Sequence, residues 1–400
     1  MILDKLFHLM AEKQASDLFI SAGVPINIKI HGNTVPVNQQ LMDPTMIEKI
    51  AFELMSPEQL KVFEATMEMN LSFGVPNVGN FRINMFRQRG SISIVVRYIL
   101  GNIPALDSLR MPPILSELIM EKRGLMLIVG SSGSGKSTTI AAMLDYRNSN
   151  RAGHILTIED PIEFLFRHKK SIVNQRELGM DTLGWEPALK NAMRQAPDCI
   201  LIGEIRDKET MQAAIAYAQT GHLCLATLHA NNSYHALNRV INFFPLESRT
   251  SLYLDLSASL KAIISQRLVR KTDGKRTPAA EILLNTRHVQ ELIERGEVMA
   301  IKEAMEQSLA PGSQTFEQDL FRLYREGIIT LDEALANADS PTNLSWLINN
   351  SEITGTPRKE EASDTTPLDF AETNGGGASF KEFTLSLNDD EPAVAKPSGR

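Results

Sequence analysis

The stretch Gly130-Ser-Ser-Gly-Ser-Gly-Lys136-Ser137-Thr138 decides the fold of this chain. It matches the phosphate-loop pattern G-x-x-x-x-G-K-[ST] and stands between an apolar run, Leu125–Val129, and a helix-forming run, Thr139–Asp145. Glycines at 130, 133 and 135 let backbone N–H groups turn inward as an anion nest at a helix N-terminus. Lys136 then reaches the β and γ phosphates of ATP, and the Ser137 hydroxyl ligates Mg²⁺. Gly130, Ser131, Ser132, Gly133, Ser134, Gly135, Lys136, Ser137 and Thr138 are the expected nucleotide-binding residues.

Outward from the loop, short apolar runs recur at helix-sized intervals: Leu125–Val129, Ile155–Ile158, Cys199–Ile202 and Leu223–Leu228. Continuous apolar runs suit strands buried on both faces, and helical spacers imply right-handed crossovers into a parallel sheet. The Ala- and Gln-rich stretch from Met211 to Thr220 stops at Gly221, a natural helix terminator. Beyond about residue 250 the pattern predicts helices near Leu252–Arg270, Val289–Gln307 and Phe316–Arg325.

Each apolar run ends in polar residues: Glu159-Asp160-Pro161-Ile162-Glu163, Gly203-Glu204-Ile205-Arg206-Asp207, and His229. In an open parallel sheet, ligands bind beyond the carboxyl ends of the strands, so these ends should converge on the phosphate loop. Glu204 stands where a carboxylate would orient or deprotonate the attacking water. The residue before it, where an aspartate usually holds Mg²⁺, is Gly203. Glu163 is favoured over Glu159 for a place on the metal side, with a capping or loop role for any of these acids equally open. His229 could sense the γ phosphate; His222, seven residues earlier, belongs to the other end of its strand and could be purely structural.

The first hundred residues predict an α+β unit. Ile26, Ile28 and Ile30 alternate with polar residues, and Gly32-Asn33 supplies a hairpin turn into Val35 and Val37. Helices follow over Pro44–Met55 and Pro57–Met69, then strands through Phe81–Met85 and Ile92–Tyr98. Pro104, Pro112 and Pro113 mark a linker over 101–113. Residues 351–400 carry ten acidic and five basic residues with five glycines and four prolines, the composition of a disordered tail. Its apolar island (Phe380, Phe383, Leu385, Leu387) could be a docking motif. The expected division is 1–100, 101–113, 114–350 and 351–400.

Charge and cysteine content exclude other classes. With 41 basic and 48 acidic residues the chain carries a net charge of −7, against a general nucleic-acid binder. Two cysteines, Cys199 and Cys224, allow neither a disulfide framework nor a four-cysteine zinc site. No apolar stretch approaches the roughly 20 residues of a transmembrane helix, and the N-terminus, with Asp4, Lys5 and His8 among its apolar residues, is no signal peptide.

Gly130–Thr138, Thr157–Phe164, Pro197–Asp207 and Thr220–His229 together resemble, in order, the Walker A, Asp, atypical Walker B and His boxes of the secretion ATPase superfamily. Gly203 in place of aspartate is a trait of that family. Within it the chain is similar to the type IV pilus retraction ATPases of twitching motility, through Ala15-Ser-Asp-Leu18 and Gln314-Thr-Phe316. The main retraction motor carries a segment Ala-Ile-Arg-Asn-Leu-Ile-Arg-Glu; here Arg287-His-Val-Gln-Glu-Leu-Ile-Glu294 departs at most positions, and Phe19 stands where histidine is common.

The resemblance implies a PAS-like N-terminal domain, a RecA-like P-loop ATPase domain with a helical C-terminal part, and a homo-hexamer binding ATP and Mg²⁺. It implies that Arg82, Arg89 and Arg97 approach the phosphates. It further implies a cytoplasmic protein at the inner face of the inner membrane, meeting an inner-membrane pilus platform protein and a paralogous retraction ATPase. Two alternatives stay open: a coupling subunit with little turnover of its own, and an assembly or secretion ATPase of the same superfamily.

Overall fold

A computed structural model describes residues 2–30, 32–76, 78–99 and 103–351. The chain opens with α1 (Ile2–Glu12), then β1 (Asp17–Ile20), β2 (Asn27–Ile30) and β3 (Asn33–Pro36). Next come α2 (Pro44–Leu54), α3 (Pro57–Thr66), β4 (Glu68–Val75), β5 (Gly79–Gln88) and β6 (Ser91–Ile99). Local chemistry starts both later helices: Asp43 accepts from the Thr45 N–H, and Ser56 with Gln59 forms a reciprocal capping box, each just before a proline. The strands form one antiparallel sheet in the order β3-β2-β1-β6-β5-β4. Leu3, Phe7 and Met10 of α1 pack with Phe81, Ile83 and Met85 in its core, a PAS-like α+β layer.

The remainder is a RecA-like layer. It begins with α4 (Ile114–Leu118), β7 (Gly124–Val129), α5 (Lys136–Asn150), β8 (Gly153–Glu159), β9 (Ser171–Glu177) and α6 (Trp185–Ala192). It continues through β10 (Cys199–Ile202), α7 (Lys208–Gln219), β11 (Leu223–Leu228), α8 (Ser233–Asn242), α9 (Arg249–Ser259), β12 (Leu260–Arg270) and β13 (Arg276–Leu284). The helices α10 (Arg287–Glu294), α11 (Ile301–Glu306), α12 (Phe316–Arg325), α13 (Leu331–Asn337) and α14 (Pro341–Ser351) finish it.

The second sheet runs β13-β12-β7-β11-β10-β8-β9, parallel except for β12 with β13. Both faces are covered. Leu125, Leu127 and Val129 of β7 point into one core, and Met126 and Ile128 into the other, with Ile140 and Met143 of α5. Each such side chain withdrawn from water contributes about 1.5–3 kcal/mol. Arg147 of α5 is also buried, donating to the carbonyls of Ile119 (2.6 Å) and Glu121 (2.9 Å), which fixes the helix to the chain entering β7.

Several expectations are corrected. The expected helix Leu252–Arg270 ends at Ser259, and Leu260–Arg270 is strand. Its apolar core, Ala262-Ile-Ile264, is buried between β7 and β13, and a short apolar run with β-branched residues is ambiguous in sequence until neighbours are known. Val289–Gln307 is two helices, because Gly296 adopts a φ of +73° and ends the first. The helix expected to reach Met69 stops at Thr66, where Met67 turns left-handed (φ 63°) into β4. β1, β4, β9 and β13 had no counterpart in the sequence reading. Within the expected linker, Leu106 is buried with Met126 and Ile128. The acidic tail, with its apolar island, lies outside the described residues from 352 onward.

Candidate active site

The phosphate loop leaves β7 at Gly130 and enters α5 at Lys136, so the first turn of α5 aims its free N–H groups at the loop's hollow. The Lys136 side chain lies folded into that loop, donating to the carbonyls of Gly130 (2.8 Å) and Ser131 (2.9 Å). Burial lowers its pKa, opposed by the negative charges of Glu204 and Glu163.

The loop is held shut from the far side by Gln266 of β12. Its Nε2 donates to the Ser134 carbonyl (2.9 Å) and its Oε1 accepts from the Thr139 hydroxyl (2.8 Å). This close approach requires glycine. A Cβ at Gly130 would stand 2.5 Å from the Gln266 carbonyl oxygen, and one at Gly135 would stand 2.8 Å from its Nε2.

The carboxyl ends of β8, β10 and β11 bring their polar residues to the same place. A cleft of about 270 Å³ is lined by Ser132, Gly133, Lys136 and Ser137 of the loop together with Glu159, Glu163, Glu204 and His229. Glu204 engages both of its oxygens. Oε2 accepts from Arg206 Nε (2.9 Å) and Nη2 (2.7 Å), and Oε1 faces His229 Nε2 at 3.2 Å. Burial alone would raise the Glu204 pKa, but Arg206, with His229 and Arg239, outweighs it and holds the carboxyl below its ordinary range. The His229 pKa is lowered, by burial first and Lys136 second. The shift favours the neutral ring, and the Glu204 carboxylate at 3.2 Å favours the tautomer with its hydrogen on Nε2.

Glu159 is the opposite case. Burial pushes its carboxyl up to about 7, against hydrogen bonds from the Thr157 hydroxyl (2.6 Å) and Gln175 Nε2 (3.2 Å). Gly203 also has a geometric reason. A Cβ there would sit 3.1 Å from both Glu159 Cα and the Ile158 carbonyl, so a side chain is crowded out.

Other expected residues lie elsewhere. Ser134 is buried beneath the loop; Gly135 and Thr138 face a second hollow of about 430 Å³ beside Arg110 and Arg276; Ser131 and His229 border a third with Arg239. Arg82, Arg89 and Arg97 do not line the cleft. Arg82 Nη1 lies 3.9 Å from Glu177, Arg97 pairs with Asp17 at 3.0 Å, and Arg89 is exposed at the β5–β6 turn. His222 immediately precedes β11, at the end away from His229, with Nδ1 3.2 Å from the Tyr217 carbonyl. Gln266 and Arg206 were not singled out from sequence. A polar Ser265-Gln-Arg267 interrupting an apolar run was the available signal for the first.

Residues 1–296 match the family model for type II/IV secretion system proteins. The chain belongs to that family. Secretion ATPases of this kind include, at 45% identity, the type IV pilus ATPase PilU of Pseudomonas aeruginosa, aligned over 98% of this chain and 99% of the relative. The type IV pilus retraction ATPase PilT of the same organism is 39% identical over 86% of this chain and all of its own length. Among solved structures, the pilus retraction motor PilT with bound ADP matches at a TM-score of 0.80 and 39% identity, covering 86% of this chain and 99% of that one. The Legionella pneumophila ATPase DotB matches at 0.72 and 25%, covering 87% and 95%. This secretion ATPase is an enzyme that binds and hydrolyses ATP, with a RecA-like fold.

Proposed function

We propose that this chain is a hexameric motor that retracts type IV pili, working beside a paralogous retraction ATPase and against an inner-membrane platform protein. The observation that carries the reading is the single cleft joining Lys136, Ser137, Glu204 and His229, in a chain 45% identical to a type IV pilus ATPase. Among the described residues no helix is long and apolar enough to cross a membrane. The proposed place of work is the cytoplasmic face of the inner membrane, against that platform protein. The proposed division is a PAS-like domain over 1–100, a linker over 101–113, an ATPase domain over 114–350 and a tail over 351–400.

Residues 130–138 cradle the phosphates, and Lys136 leaves its own loop carbonyls for the β and γ phosphates. Ser137 would hold Mg²⁺. Among the described residues no cluster of three His, Cys, Asp or Glu could bind a metal alone. A site built from one hydroxyl, nearby carboxylates and the substrate's own phosphates is the shared arrangement Mg²⁺ prefers. When bound, the ion neutralises charge on the phosphate oxygens. Glu163, which lines the same cleft, would stand on the metal side.

Glu204 orients the water. A carboxylate with a lowered pKa is a weak base, and phosphoryl transfer through a loose transition state asks more for positioning than for early deprotonation. His229, touching Glu204, reports the γ phosphate. Arg82, Arg89 and Arg97 would be carried to the phosphates by movement of the six-stranded sheet or from a neighbouring subunit, where a guanidinium stabilises developing charge.

Two measurements test this. Phosphate release should fall by about 100-fold or more in Glu204→Gln with ATP binding retained; equal rates would leave a coupling subunit. Deleting the gene should abolish surface motility with pili still present, whereas bald cells would point to assembly.

A further inference from the structure

β12 carries three consecutive polar residues, Ser265, Gln266 and Arg267, in an otherwise largely apolar strand. Strand side chains alternate between faces, so Gln266 serves one side of the sheet and its neighbours the other. On the first side Gln266 grips the phosphate loop through Ser134 and Thr139. On the second, Ser265 joins Ser233 and Glu281 at the start of α8, with Glu281 accepting from the Ser233 N–H (2.7 Å) and the Ser265 hydroxyl (3.0 Å).

Arg267 gathers the chain after His229 and the C-terminal helices. It donates to the Asn231 carbonyl (3.2 Å) and to the Asn337 carbonyl at the end of α13, pairs with Asp339, and lies 4.0 Å over the Phe316 ring. Asp339 also accepts from Asn232 Nδ2 (2.7 Å).

We propose that Gln266 and Arg267 are positioning residues for ATP hydrolysis, and that through them β12 couples nucleotide binding to the order of α13 and α14. The inference rests on nucleotide being seated against Lys136. Seating a phosphate withdraws Lys136 from two loop carbonyls and loads the rest of the loop onto its remaining support, Gln266. One peptide unit along, Arg267 carries any shift of that backbone to Asn231, two residues after His229, to Asn337 at the end of α13 and to Asp339 just before α14. Coupling of this kind is reciprocal: whatever loosens α13–α14 must weaken nucleotide binding by the same factor.

The test uses hydrogen exchange and steady-state kinetics on the full chain with Mg-ADP and ATP as probes. In the wild type, ADP should slow exchange across both 130–138 and 331–351. In Arg267→Met the slowing at 331–351 should vanish while that at 130–138 persists. Arg267→Met and the milder Asp339→Asn should each raise the Kd for Mg-ADP about fivefold, with KM for ATP rising alongside, and the double variant no further, as one shared interaction requires. Gln266→Leu should speed exchange at 130–138 without nucleotide. ADP protection of 331–351 that is absent in the wild type, or undiminished in Arg267→Met, overturns the coupling. Unchanged exchange at 130–138 in Gln266→Leu overturns the brace. A Lys136→Ala chain that binds ADP as well as wild type would instead sink the placement of nucleotide on the loop, and the nucleotide-free result for Gln266→Leu distinguishes the two failures.

Discussion

At the scale of single residues, Glu159 makes the sharpest claim. Its carboxyl, raised to about 7 by burial, holds a proton in the folded chain at pH values where the unfolded chain has released it. Between about pH 4.5 and 7 the native state therefore binds more protons, and stability falls as pH rises through that window. A shift of this size corresponds to about 3 kcal/mol at the upper end. Urea unfolding of metal-free, nucleotide-free protein across the window should show that decline in wild type, and Glu159→Gln should flatten it. An equal slope in both would mean that Glu159 is ionised in the folded state. Strand-end position singled out Glu204 and favoured Glu163 over Glu159, but it could not tell that Glu159 is the carboxyl whose pKa is raised, because that depends on what surrounds each. Thr157 and Gln175 enclose Glu159, whereas Arg206 and His229 hold Glu204.

At the scale of elements, the anchoring of α5 is the testable point. Arg147 is buried to 1% exposure, and its guanidinium satisfies two carbonyls just before β7. Arg147→Met fills similar space but leaves both oxygens without a donor, so it should cost about 3 kcal/mol, measured as a fall in midpoint on denaturant unfolding. The phosphate loop, β7, β8, β10, β11 and the helices α5 and α7 were legible because each has one dominant local signal: glycine spacing, a continuous apolar run, a terminator. β12 was not. Its Leu260-Lys-Ala-Ile-Ile-Ser-Gln-Arg267 neighbourhood carries apolar residues at spacings that suit either period, and pairing with β7, distant in sequence, and with β13, the next strand, decides it. That one misassigned element hid Gln266 and Arg267. β9 and β4 were hidden by the same rule, since edge strands have one neighbour and a mixed, half-polar face.

At the scale of the whole molecule, the three N-terminal arginines stand off the cleft, so the proposed ring has something to supply. If a neighbouring chain completes the site, ATP turnover per chain should rise steeply with protein concentration through the assembly midpoint seen by light scattering. Constant specific activity across monomer and assembled fractions would confine catalysis to one chain. The family boxes were readable from end to end because each is contiguous, whereas the location of Arg82, Arg89 and Arg97 depends on how two sheets meet, which no local spacing encodes.

The burial of Leu106 beneath the seven-stranded sheet sets a mechanical limit. The six-stranded sheet ends at Ile99. Seven residue steps of backbone reach no more than about 25 Å when fully drawn out. Any power stroke that swings one sheet over the other works on that short leash, and so must be a swivel about a near-fixed point, not a long excursion.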